Sequence, residues 1–403
     1  MSERPLFSIV TLVRNETKRL SVLAESLEPF LKAGGNWVVA DSASTDGTRD
    51  FARKLGATVV RLGERFRVQQ SDAEAKQMAK DLHIPAEEPS LFFDFGGARN
   101  AAARHTRCDQ ILVLDSGDQV HQMDIPALNR MMQAGGLYPI THYLGLHNKH
   151  NSVRFYDRRS WTYRHRAHEF LQALPDAKVP PAARTPIPES MLKVVYIRQT
   201  TTARAYLVPM YMDWKENPQS HRCHFYLARR LYYNKKWAAA IKMFEQGLFG
   251  THGWCAEMSQ AAVYCGICYV HLGKLDKARE RYLLALDYDA SRREPWLRLA
   301  YIAQAKGKWA QMRGFLAGLM ATPRNIQLYE SEANYGILPK QLMYTALVKL
   351  QDYQAALPYW QECRKALPTH TTYHSDAHLF EPLLTPKKKK KRRKKRQKNS
   401  GNP

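Results

Sequence analysis

Apolar and polar positions along the chain fall into two regimes. Up to about residue 115, short apolar runs alternate with stretches of helical periodicity. Phe7 to Arg14, Trp37 to Ala40, Ala57 to Arg61 and Gln110 to Leu114 are rich in β-branched residues and leucine and predict strands. Helical patterns predict helices from about Lys18 to Ala33, from near Thr45, from Ser71 to Leu82 and from Gly97 to about Thr106. Such alternation predicts a mainly parallel sheet with crossover helices. In open sheets of this kind ligands bind beyond the carboxyl ends of the strands, where Asp41 and Asp115 both lie.

From Tyr206 onward the pattern changes to helix pairs that repeat with a period in the thirties, the signature of a solenoid. Trp237, Ala240, Phe244 and Leu248 belong to one unit, Gly266, Gly273, Ala278 and Tyr282 to a second, and Ala300, Gly307, Trp309 and Leu316 to a third. Tyr353, Ala356 and Trp360 belong to a degenerate fourth. The division expected is an α/β domain over residues 1–200, an all-α solenoid over 201–384 and a disordered tail over 385–403.

Charge and cysteines refine this picture. The chain has 403 residues and a formal charge of +24. Eleven basic residues between Lys387 and Lys398 leave about +13 on the rest. A basic body suits a phosphate-bearing ligand such as a nucleotide sugar, and the tail suits weak contact with an anionic surface. No stretch has the roughly 18 to 20 apolar residues of a membrane helix, and Met1 to Pro5 lacks a secretory layout, so the expected location is cytoplasmic. Cys265 and Cys268 have the spacing of half a zinc site without a second half, inside a helical pattern, and read as packing residues. Asp94-Phe95-Gly96 spells a kinase metal motif, but no glycine-rich loop or His-Arg-Asp accompanies it.

Asp115 and Asp118 place two carboxylates at the exit of the strongest strand, a donor set for Mg²⁺ or Mn²⁺, although aspartates also serve there as turn formers and helix caps. Four motifs occur together: Phe7 to Glu16, Asp41 to Thr48, Gly97-Ala-Arg99-Asn100 and Ile111 to Asp118. With Val153-Arg154-Phe155-Tyr156, Trp161 to Glu169 and Ser291-Arg-Arg-Glu-Pro295, they resemble, in order and approximate spacing, family 2 glycosyltransferases of the GT-A fold fused to tetratricopeptide repeats. The resemblance implies a GT-A, Rossmann-like domain that moves a sugar from a nucleotide-diphosphate donor to a peptide or glycan. It implies that Thr11, Val13 and Glu16 line the nucleotide pocket, that Asp41 bonds the base or ribose, that Asp46 sits near the nucleoside and that Arg99 approaches the diphosphate. The metal would be held by Asp115 and Asp118, with His168 completing the shell. Glu169 is the expected general base, with Asp118 as the alternative. One departure stands out: the family's second metal aspartate is replaced by Gly117. The competing expectation is a non-catalytic scaffold in which the repeats, through which the chain could also self-associate, do the work.

Overall fold

The computed structural model describes residues 4–133, 136–144, 148–177, 186–196, 206–249, 253–325 and 330–384. The chain divides into two compact units, Met1–Gly253 and Trp254–Pro403. The lysine-rich tail, 385–403, lies outside the described residues. No helix among the described residues is long and apolar enough to cross a membrane.

The first unit is built on a curled eight-stranded sheet. Its strands are β1 (Phe7–Val13), β2 (Asn36–Asp41), β3 (Thr58–Arg61), β6 (Gln110–Val113), β7 (Asp118–Met123), β8 (Leu137–Leu144), β9 (Asn148–Asp157) and β12 (Leu192–Tyr196). Two small hairpins stand beside it: β4 (Arg67–Gln69) with β5 (Leu91–Phe93), and β10 (Trp161–Arg164) with β11 (Phe170–Ala173). The sheet order is β3-β2-β1-β6-β9-β8-β12-β7. Strands β3, β2, β1 and β6 run parallel, as the strand-helix alternation requires. The parallel pattern stops there, because β9 pairs antiparallel with both β6 and β8, and β7 antiparallel with β12. The half of the sheet beyond β6 is mixed, so the expectation of a mainly parallel sheet holds only for the first half.

The central strands read as unbroken apolar runs because both of their faces are covered. On one side Phe7, Ile9, Trp37, Val39, Leu112 and Leu114 pack with Leu20 and Leu23 of helix α1 (Thr17–Ser26), Phe30 of α2 (Glu28–Lys32) and Leu128 of the later helix Ile125–Met132. The alternate residues Val10, Val38, Ala40, Ile111 and Val113 face Ala98 and Ala102 on the opposite side. The period of two in the strands therefore sorts each run between two helical layers.

Crossover helices α3 (Thr48–Lys54), α4 (Asp72–Leu82) and α5 (Phe95–Ala103) precede α6, the Ile125–Met132 helix. Helix α4 opens on a capping box between Ser71 and Glu74, and α5 on the Asp94 carboxylate, which accepts from Gly97 N at 2.8 Å. The carboxylate of Asp94 in the kinase-like tripeptide thus serves as a helix cap.

Helices α7 (Leu207–Glu216), α8 (His221–Tyr233) and α9 (Trp237–Gly247) also belong to the first unit, whose edge is at Gly253 rather than at residue 200. Bonds explain why. Asp213 of α7 accepts from Arg166 N and Ala167 N and pairs with the Arg166 side chain at 2.9 Å, and Tyr211 donates to Asp81 of α4 at 2.7 Å.

The second unit is a run of packed helix pairs: α10 (Cys255–His271) with α11 (Leu275–Tyr288), α12 (Glu294–Ala305) with α13 (Trp309–Ala321), and α14 (Leu338–Lys349) with α15 (Tyr353–Ala366). The short helices α16 (Thr371–Ser375) and α17 (Ala377–Leu384) follow. Each of these pairs, like α8–α9, turns through one left-handed residue: Lys235, Gly273, Gly307 and Gln351 have φ of 58, 72, 64 and 59°. Cys265 and Cys268 are buried in α10, and burial pushes the Cys268 thiol up to about 12, which suits packing and not metal binding. Within Ser291-Arg-Arg-Glu-Pro295, Arg292 is buried and bonds Ser259 at 3.1 Å, while Arg293 donates to the Thr322 carbonyl just past the end of α13.

A Cβ on Gly266 would lie 2.3 Å from the Tyr282 ring of the facing helix. Gly266→Ala is therefore expected to lower the unfolding free energy by roughly 1–3 kcal/mol in urea titrations. Gln351→Gly should raise it by roughly 0.5–1 kcal/mol, because glycine adopts the left-handed turn without a Cβ penalty.

Candidate functional site

Strand β1 leads to β2 on one side and neighbours β6 on the other, so the sheet reverses its direction of winding between β1 and β6. The crevice beyond the carboxyl ends of two such strands is where an open sheet leaves room for a ligand. Here it is a cleft of 760 Å³. Val13, Arg14, Glu16 and Arg19 line it from the end of β1, and Asp115, Ser116 and Gly117 from the end of β6. Phe92, Phe93 and Phe95 add an aromatic side, and Tyr206, Pro209 and Arg230 come from the helical part of the same unit.

The floor of the cleft is an ionic chain. Arg99 on α5 is 4% exposed; its Nη2 donates to Asp115 Oδ1 at 3.0 Å and its Nε to Glu169 Oε1 at 2.8 Å. Arg154 on β9 pairs with the other oxygen of Asp115 at 2.9 Å. Burial opposes ionisation of Asp115, but Arg154 and Arg99 outweigh it and hold the carboxyl far below the usual range. Burial likewise disfavours the charged form of Arg99, and Asp115 and Glu169 more than reverse that. Glu16, half-buried against Arg19 at 3.2 Å, has its carboxyl raised by burial, with Arg19 and Ser116 opposing.

Local geometry holds these groups in place. A Cβ on Gly96 would meet the His165 carbonyl at 2.3 Å, so glycine is what lets α5 start beneath the β10–β11 link. Asn100, next to Arg99, donates to the Tyr163 carbonyl at 2.8 Å and accepts from its N–H at 2.9 Å, bracing β10 like an added strand. The link carries His165 and His168 in left-handed backbone, with φ of 69 and 51°, a conformation kept by the bonds from Arg166 and Ala167 to Asp213.

Of the residues expected to form the site, Val13, Glu16, Arg99, Asp115, His168 and Glu169 line this cleft together. Three do not. Thr11 is fully buried in β1 and accepts from Trp37 Nε1 at 3.1 Å, a core contact rather than a pocket wall. Asp41 is 1% exposed, caps the Ser44 amide with both oxygens at 3.3 Å, and faces Arg49 at 3.7 Å. Asp46 accepts from Thr48 N at 3.0 Å and from Thr17 at 3.0 Å, tying the starts of α1 and α3 together. Arg154, Arg19, Arg67 and Arg230 carry cleft charge that the motif reading did not assign; the Val153-Arg154-Phe155-Tyr156 motif was the one signal for Arg154.

A divalent cation does not fit the expected ligands. Both Asp115 oxygens already accept from guanidinium groups. The Asp118 side chain has no exposure and locks its turn, accepting from Asp115 N at 2.7 Å and facing His142 Nε2 at 3.5 Å. His168 stacks on Tyr226 at 4.3 Å with its Nε2 3.4 Å from Arg229 Nη2, and burial, then Arg229, Arg222 and Arg230, push it down to about 3. Gly117 supplies no side-chain oxygen. Among the described residues no group of three His, Cys, Asp or Glu could hold a metal ion. Asp118 is equally excluded as a base by its burial.

No family model and no curated protein matches the chain. Solved structures similar to it include PilF of Pseudomonas aeruginosa (13% identity, TM-score 0.34, covering 42% of this chain and 71% of that one). PilW, a type IV pilus biogenesis factor, matches at 15% identity and TM-score 0.34, covering 42% and 72%. MamA matches at 10% identity and TM-score 0.33, covering 46% and 89%. These are tetratricopeptide-like repeat proteins. The assignment to family 2 glycosyltransferases is corrected by the same findings, which place no glycosyltransferase family on the N-terminal part.

His168 yields a pH prediction. Its folded pKa lies below that of the unfolded chain, so the unfolded state binds more protons between about pH 6.5 and 3 and stability falls as pH drops through that window. Melting temperature is expected to decline on acidification from pH 6.5, and His168→Gln to flatten that decline.

Proposed function

We propose that the first unit transfers a sugar from a nucleotide-diphosphate donor to an acceptor peptide or glycan. The observation that carries this reading is the cleft at the β1–β6 crevice, where six arginines (Arg14, Arg19, Arg67, Arg99, Arg154 and Arg230) stand against three carboxylates. An electropositive crevice with an aromatic side suits a ligand that joins a planar base to phosphates. Glu169 supplies a carboxylate within the cleft that Arg99 keeps oriented.

In the proposed step Glu169 takes the proton of an acceptor hydroxyl or thiol as that atom bonds to the anomeric carbon. The bond from that carbon to the diphosphate oxygen breaks, and the nucleoside diphosphate leaves with the electron pair. Among the described residues no group of three His, Cys, Asp or Glu could hold a metal for this step. The helical repeats of the second unit fit the role of an acceptor-binding or self-associating surface, since stacked helix pairs present extended faces. They also support the second reading, a scaffold whose first unit binds a ligand without turning it over.

Glu169→Gln separates the two readings. If sugar is transferred, slow hydrolysis of a nucleotide sugar should drop about 10²-fold or more in kcat while ligand-induced thermal stabilisation persists. Wild-type protein that releases no nucleoside diphosphate from any uridine or guanosine diphosphate sugar would leave the scaffold reading standing.

A further inference from the structure

The cleft carries its own counter-charge for a diphosphate. Among its lining residues, six arginines exceed three carboxylates by three positive charges. A nucleoside diphosphate brings roughly two to three negative charges to such a site, against an excess of three in the lining, or two once the pairing of Arg67 with Glu64 is counted. A divalent cation entering beside Asp115 would have to displace Arg99 and Arg154, at 3.0 and 2.9 Å, leaving Arg154 inside the protein without its carboxylate and Arg99 with Glu169 alone. Uncompensated charge in a low-dielectric interior is among the costliest arrangements a fold can hold. His168, the third expected ligand, has Arg229 against its Nε2, and Arg222 of the same helix stacks with Arg229 on the Tyr226 ring, at 4.7 and 4.6 Å. Cations already occupy the places where a metal's ligands would be.

We infer that the cleft binds the diphosphate of its ligand without a divalent cation, its arginines supplying the positive charge. This rests on the reading of the cleft as a nucleotide-diphosphate site and specifies how that site works. Asp115 is then a positioning residue: it holds Arg99 and Arg154 at the end of β6 and coordinates nothing. Guanidinium groups suit the task, because their planar N–H pairs match phosphate oxygens and stay charged at any physiological pH. Arg14, at the end of β1, is the most exposed of them and the one least tied into the floor.

Calorimetric titration of the full chain with uridine diphosphate and guanosine diphosphate, in EDTA and again in excess Mn²⁺, tests this. At least one nucleotide should bind in EDTA with an affinity that Mn²⁺ changes by less than about three-fold. Arg14→Ala should weaken binding about ten-fold in both buffers. Asp115→Asn keeps one acceptor for the guanidinium groups and removes a negative charge beside the phosphates, so binding should tighten several-fold. Binding seen with Mn²⁺ and lost in EDTA overturns the inference while sparing the donor reading, and so does loss of binding in an Asp115→Asn protein that melts as wild type does. Absence of binding by either nucleotide in both buffers overturns the donor reading and this inference with it. Should Asp115→Asn fail to fold, the comparison of EDTA with Mn²⁺ on the wild-type chain decides alone.

Discussion

Burying the Arg99 guanidinium obliges the first unit to keep two carboxylates beside it. Asp115 arrives from the end of β6 and Glu169 from the link between β10 and β11, so one side chain on α5 joins a sheet edge to a hairpin that would otherwise stand apart. The energetic reason is the asymmetry of buried ion pairs. A complete pair adds little net stability, whereas a broken one leaves a charge in a medium that solvates it poorly. Everything that surrounds Arg99 follows from the need to hold this chain complete. Gly96 lets α5 start beneath the link, Asn100 braces β10, and Asp213 on α7 fixes the link in its left-handed turns.

The helices α7 to α9 belong to the first unit for a related reason. The link between β10 and β11 turns through two left-handed histidines, and its amides need acceptors. Asp213 supplies them from α7, although burial raises its own carboxyl, with Arg166 opposing. A helical segment has thus become part of the floor of the α/β unit, and Arg230 and Tyr206 reach the cleft from it. In the second unit Arg292 plays a comparable part, buried against Ser259 and Gln260 of α10 and near Glu294 and Glu330.

The turn from Asp115 to Asp118 sends two carboxylates in different directions. Gly117 supplies no side-chain oxygen to the crevice, and Asp118 falls on the first position of β7 with its side chain turned inward. Two carboxylates three residues apart therefore serve opposite ends, one facing the cleft and its arginines, the other closing a turn. What remains in the crevice is arginine-rich.

Periodicity alone was enough for the parallel strands β1, β2, β3 and β6, for the helices between them and for the paired helices, because these depend on near neighbours; the β4–β5 hairpin was not legible in it. The interior strands carry unbroken apolar runs, the caps at Ser71 and Asp94 are two or three residues from the amides they satisfy, and the left-handed turns at Gly273 and Gly307 announce themselves by residue type. Only the tertiary structure decided which side chains share the cleft. Arg154 reaches Asp115 because β9 pairs antiparallel beside β6, with Leu112 opposite Phe155, a register that no local pattern encodes. Thr11 and Asp41 sit on motif positions yet turn into the core and into their own loop, since the direction of a side chain is set by what covers each face of the sheet. Chain-local physics places residues at strand ends; the packing of distant segments settles whether a carboxylate there meets a cation, an amide or open cleft.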